Sequence, residues 1–201
     1  MAGSAAAHPL PPGAAVGAVV GGVAGVVVGQ GQAFKSVADL LGAAKAMPWV
    51  GVGVTLIILG WHFYRAKQAK PEITLMLTAL FIGAIFDQSM LTLHLIEYQA
   101  HGWGMWLWNN SLVPVWILAL WLAFASTLNV SLAWMHDRYL IAMLFGLAGG
   151  PLAYFAAEKL GAVTVSSTNA YIALAIGWGV ITPLLVRIAK RHNGFTAKVT
   201  S

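Results

Sequence analysis

Residues 73–95 read ITLMLTALFIGAIFDQSMLTLHL, a run of apolar side chains interrupted by a single charge, Asp87. At about 1.5 Å of rise per residue such a run crosses a hydrocarbon layer ~30 Å thick, so it predicts a transmembrane helix. The rest of the chain agrees with it. Of 201 residues, 59% are hydrophobic and only 8% are charged, where a water-soluble domain carries roughly 25% charged residues. Lipid therefore replaces water around most of the surface, and every backbone polar group in the lipid must be satisfied by helical hydrogen bonds.

Working outward, four further runs predict spans: Trp49–Tyr64, Leu112–Trp134, Tyr139–Ala157 and Ala170–Ile188. A sixth segment, Gly13–Gly29, is uncharged but built of Gly, Ala and Val. Gly13, Gly17, Gly21, Gly25 and Gly29 recur every four residues and mark one helix face that allows a close helix–helix approach, a glycine zipper. The other reading of this segment is a cleaved leader ending near Gly31-Gln32-Ala33, although no Lys or Arg precedes Lys35. The expected fold is an all-α polytopic bundle over residues 13–190, with tails at 1–12 and 191–201. It has six spans, or five if the amino-terminal segment is removed or does not span.

Basic residues set the orientation. With the amino terminus inside, one side of the membrane carries Arg65, Lys67, Lys70, Arg138, Arg187, Lys190, Arg191 and Lys198, and the other carries Lys35, Lys45 and Lys159. The richer side is cytoplasmic by the positive-inside rule, which puts both termini there. Trp103, Trp106 and Trp108 suit an aromatic belt at the opposite interface. The net charge of +5 is thereby explained as topology and not as a nucleic-acid surface. Arg65, Lys67 and Lys70 beside Glu72 read as anchors to anionic headgroups, so membrane lipids are expected partners. Cysteine is absent, which excludes disulfides, thiolate metal sites and a cysteine nucleophile.

Several motifs in order resemble a known family: Phe86-Asp87, Pro114-Val115-Trp116, the run Phe124–Trp134, Gly149-Gly150-Pro151-Leu152-Ala153-Tyr154, and Gly161-Ala162-Val163. Over roughly Met47 to Lys190 the chain is similar to the bacterial inner-membrane proteins grouped as domain of unknown function 2878. It departs from that pattern in its glycine ladder and in the Trp-rich connection Tyr98–Asn110. The resemblance implies a compact multi-span membrane protein, sometimes encoded near lipid-modifying enzymes, and brings no established activity or catalytic residues.

Asp87 is the most informative polar residue, because a charge in the bilayer centre costs at least ~2.5–3.5 kcal/mol and must face protein or water. Gly83 lies one turn before it and His94 two turns after, with Glu97 and Tyr98 beyond. Gly149-Gly150-Pro151 falls at about the same depth in the next-but-one span, and Pro151 deprives the Leu147 carbonyl of its usual donor. The candidate mid-membrane polar site is therefore Asp87, His94, Gly149, Gly150, Pro151 and Tyr154, with a protonated Asp87 or its water satisfying the freed backbone. A packing kink and a structural carboxyl are the plainer readings of the same residues. Ser126, Thr127, Asn129 and Ser131 form a second, interhelical polar cluster, on the other side of the bilayer centre from Asp87.

Chemistry beyond this is thin. His62 and His94 sit near opposite ends of the spans and cannot share a haem, no metal-ligand spacing occurs, and no cofactor is predicted. Nucleophile, phosphate-binding and dinucleotide motifs are absent. Three functions remain: an accessory or assembly subunit packing through small-residue helix faces, against itself or a membrane-protein partner; a small proton-coupled transporter using Asp87; and a lipid-modifying or lipid-handling protein. An enzyme is the weakest of these readings, since no catalytic constellation supports it.

Overall fold

The computed structural model describes residues 48–98, 111–159 and 162–196. The glycine ladder Gly13, Gly17, Gly21, Gly25 and Gly29 and the Trp103–Trp108 connection lie outside the described residues. Five helices are described: α1 (Pro48–Arg65), α2 (Ala69–Thr92), α3 (Val115–Leu128), α4 (Tyr139–Lys159) and α5 (Thr168–Arg191). A 3-10 turn, Ala133–Met135, links α3 to α4. By length and composition α2, α4 and α5 can cross a membrane, while α3 is apolar but shorter. Six spans are not seen: the count among the described residues is five helices, three of them of spanning length.

The expected span Leu112–Trp134 is the largest departure. Its helix starts after Pro114, which presets the entry, and stops at Leu128. Ser126 and Thr127 turn their hydroxyls back on the carbonyls of Ala123 and Phe124, both at 2.7 Å. The Thr127 carbonyl then takes the amides of both Val130 and Leu132. Short polar side chains bonding their own backbone are a common way to end a helix. At 14 residues, α3 rises only about 21 Å.

The fold is also not purely helical. β1 (Ile96–Tyr98) pairs antiparallel with β2 (Val163–Val165), with Ile96 opposite Val165 and Tyr98 opposite Val163. His94 makes the turn out of α2 at φ 55°. Ile96, Val163 and Val165 are buried, whereas Glu97 and Thr164 face outward, the alternation a half-buried strand demands. Three residue pairs would not hold a free two-stranded sheet together; this one joins segments that flank α3 and α4 and is pinned to the bundle beneath it.

α3 lies between α1 and α2, α2 also meets α5, and α4 and α5 form the most extensive helix pair. One aromatic layer joins four of the helices. The indoles of Trp121 (α3) and Trp178 (α5) stack at 4.7 Å with planes 8° apart. Gly83 of α2 backs Trp121, and Gly150 of α4 backs Trp178; a Cβ at either glycine would collide with the ring. Phe124 meets both indoles edge-on.

The helix directions define two ends. Arg65, Lys67, Lys70, Arg138, Arg187, Lys190 and Arg191 all lie exposed at or near one of them, the basic end. The β1–β2 strand pair lies at the other.

The close packing at Gly150 yields a direct test. Gly150→Leu is expected to wedge Trp178 away from α4 and to destabilise the protein by about 1–3 kcal/mol, read as a lower thermal midpoint in detergent. Gly53→Leu on α1, where an added Cβ meets nothing within 4 Å, is expected to leave the midpoint unchanged.

Candidate functional site

Asp87 is completely buried, five residues before the end of α2. That places it about 10 Å from the midpoint of the helix, toward the strand-pair end. The sequence-based depth was nearer the centre, because α2 starts and ends several residues earlier than the hydropathy run. Both carboxyl oxygens are engaged. Trp121 Nε1 donates to Oδ2 at 2.6 Å. Tyr98 Oη donates to Oδ1 at 3.0 Å, and Tyr154 Oη also donates to Oδ1 in a short contact. The two phenol oxygens are 3.3 Å apart.

Three elements thus converge on α2: α3 through Trp121, β1 through Tyr98 and α4 through Tyr154. Burial and the adjacent carboxylate push the Tyr98 phenol well above its ordinary pKa, so it stays a donor at any physiological pH. Two phenols and an indole supply only N–H and O–H groups with phenol oxygens as the sole acceptors, an arrangement suited to a carboxyl group. The phenols can also exchange protons with it; the indole cannot, having a donor only.

The site differs in membership from the expected one. Tyr154 touches Asp87, and Gly150 joins indirectly by backing Trp178. Gly149 and Pro151 are half-buried on the same helix, and Pro151 sits inside a continuous α4. The Asp87 oxygens are occupied by side chains, so the proposed link from Asp87 to a carbonyl freed by Pro151 is replaced by the Tyr154 contact. His94 is exposed in its left-handed turn; the helix ends at Thr92, so the helical spacing that aligned it with Asp87 does not extend that far. Trp121 and Tyr98 were not assigned to the site from sequence. The signal for Trp121 is available in retrospect: Trp is the one large apolar residue that brings a hydrogen-bond donor into a core.

A second buried carboxylate sits at the basic end. Glu72 is fully buried in the first turn of α2, where the helix dipole favours a negative charge. Its Oε2 lies 2.8 Å from His62 Nε2 of α1. Its Oε1 accepts the Asn129 side-chain amide at 2.8 Å and the Gly194 backbone N–H at 2.6 Å. The same Asn129 amide donates to the His192 carbonyl at 2.9 Å.

The expected Ser126–Thr127–Asn129–Ser131 cluster therefore splits. Ser126 and Thr127 bond within α3, Ser131 falls in the turn after it, and Asn129 bridges to Glu72 of α2. The carboxy-terminal residues 192–196, expected in a tail, fold back over the end of α2. Among the described residues no group of three or more His, Cys, Asp or Glu could hold a metal ion.

An apolar bundle with three helices of spanning length, tied internally by buried carboxyl groups, defines a helical membrane protein. The chain belongs to the family described as Protein of unknown function (DUF2878), which matches residues 36–184. No curated protein and no solved structure matches it.

The cage predicts a graded response. Asp87→Asn sets an amide N–H₂ against three donors and is expected to lower stability by about 1–3 kcal/mol. Tyr98→Phe is expected to cost less, because Tyr154 still serves the same oxygen. Thermal unfolding of the three proteins in one detergent checks the order.

Proposed function

We propose that this protein is an accessory or assembly subunit of the membrane, acting through its outer helix faces and not through chemistry at an internal site. The observation that carries this reading is that both buried carboxyl groups are engaged by side-chain and backbone donors from distant parts of the same chain. In lipid, helices are not driven together by the hydrophobic effect, and polar ties of this kind supply orientation. The two carboxyl groups serve the fold, and the outward faces of the helices carry apolar side chains: Leu77, Phe81 and Ile85 on α2, Leu152 on α4, Ile176 and Val180 on α5. Such faces suit lipid, a second copy or another membrane protein.

One observation favours the proton-coupled alternative. Tyr98 is only partly buried and links Asp87 to the strand-pair end, so the Asp87–Tyr98–Tyr154 trio has a hydroxyl route toward one surface. It reaches no farther on the described geometry, since its remaining partner, Trp121 Nε1, relays no proton. The lipid-handling alternative has no residue cluster among the described residues to carry it.

The basic end supports a cytoplasmic placement in a bacterial inner membrane, through the positive-inside rule. Because the chain holds no cysteine, single cysteines can report this without background. Lys67→Cys is expected to react with an impermeant maleimide only after the cells are opened, and Glu97→Cys in intact spheroplasts; the reverse pattern overturns the orientation.

The functional reading itself is tested by purification in mild detergent with mass spectrometry of all co-migrating species. A stoichiometric membrane-protein partner or a stable homo-oligomer is expected. A lone monomer that carries a pH-driven flux in vesicles, lost in Asp87→Asn, would replace this reading with the transporter.

A further inference from the structure

We propose that residues His192–Thr196 form a releasable strap that covers and uncovers a buried polar cluster at the basic end, a conformational device separable from the rest of the bundle.

The strap is held differently from every helix in the molecule. It leaves α5 at Arg191 and makes no regular secondary structure. Its hold consists of a few directional contacts. Gly194 gives its N–H to Glu72 Oε1 at 2.6 Å and takes the Gln68 N–H on its own carbonyl at 3.0 Å. The His192 carbonyl accepts from Asn129 at 2.9 Å. Phe195 lays its ring edge-on against His62 at 5.0 Å. Asn193 closes the turn by accepting the amides of Phe195 and Thr196 at 2.9 and 3.1 Å.

Each contact reaches a different part of the basic end: α1 through His62, the α1–α2 connection through Gln68, α2 through Glu72 and α3 through Asn129. The site is also shape-selective. A Cβ at position 194 would run into the Gln68 carbonyl and the Glu72 side chain, so only glycine seats there.

Beneath the strap lies a cluster that is itself polar. Glu72 and His62 face each other, and Asn129 Oδ1 is buried with no hydrogen-bond partner. A buried acceptor without a donor carries a cost. The cost is tolerable where the cover opens and the acceptor meets water or another donor. Local elements with few apolar contacts and several backbone hydrogen bonds open at lower free energy than the core, and the strap, whose only large apolar side chain is Phe195, is of this kind. The inference does not depend on the accessory-subunit reading.

Hydrogen exchange followed by mass spectrometry on the full-length protein in detergent tests it. In the wild type, Gly194 and Gln68 amides are expected to exchange faster than the core of α2 and α5. Gly194→Ala, which evicts the strap and leaves Glu72, His62 and Asn129 in place, is expected to raise exchange at 192–196 and at Gln68 at least about tenfold. Peptides covering Tyr98 and Tyr154 at the far end are expected to stay unchanged. Glu72→Gln gives a second route to the same release. A chemical readout accompanies both: His62, 5% exposed beneath Phe195, becomes reactive to diethylpyrocarbonate when the strap leaves. The proposal is overturned if strap and core exchange at one common rate in the wild type, or if Gly194→Ala leaves the strap amides and His62 as protected as before. It is equally overturned if every helix loosens together in both variants.

Discussion

An acid buried in an apolar helix has to find donors inside the protein, and α2 carries two. Glu72 and Asp87 are separated by fifteen positions, about 22 Å along the axis, so each stands near one end of the same helix. Neither can leave its charge or its polar oxygens to lipid. The donors come from remote parts of the chain: Tyr98, Trp121 and Tyr154 for Asp87, and His62, Asn129 and Gly194 for Glu72. Satisfying one helix therefore places α1, α3, α4, β1 and the segment after α5. Since apolar surface alone gives helices in lipid little reason to choose one partner over another, these two carboxyl groups supply much of the specificity of the fold.

The aromatic layer extends the same constraint sideways. The bond from Trp121 to Asp87 sets the plane of the indole, Trp178 stacks on that plane, and the glycines at 83 and 150 bring α2 and α4 against its two faces. α5 has no direct contact with the Asp87 carboxyl, yet its rotation is set by it through Trp178. Gly177, on the same helix, receives Phe86, the neighbour of Asp87. One polar contact is in this way converted into the register of four helices.

Much of this was legible in the sequence, because hydropathy and spacing are properties of single segments. Four of the five described helices lie close to the expected spans; membership of the family and the singular position of Asp87 could be read there, as could Gly150 as a residue of similar depth. What escaped depends on contacts between segments. Glu72 reads as a headgroup-side acid beside Arg65, Lys67 and Lys70, and contacts from His62, Asn129 and Gly194 enclose it. Trp121 carries no signal of its own within an apolar run, since its N–H matters only opposite a carboxylate. The paired strands are three residues each, too short to show a period against the helical background. His94 was aligned with Asp87 by extending a helix that stops two residues earlier, and Ser131 with Thr127 by the same kind of extension.

The central claim is that the Asp87 carboxyl and the Trp121 indole form one energetic unit on which the arrangement of the helices depends. A double-mutant cycle of Asp87→Asn and Trp121→Phe, with unfolding free energies measured in the same detergent–denaturant system, addresses it most directly. The account predicts that the two losses are not additive, with a coupling of about 1–2 kcal/mol between the sites. Losses that add to within about 0.3–0.5 kcal/mol would mean that the two side chains are merely neighbours, and that something other than this bond sets the order of the bundle.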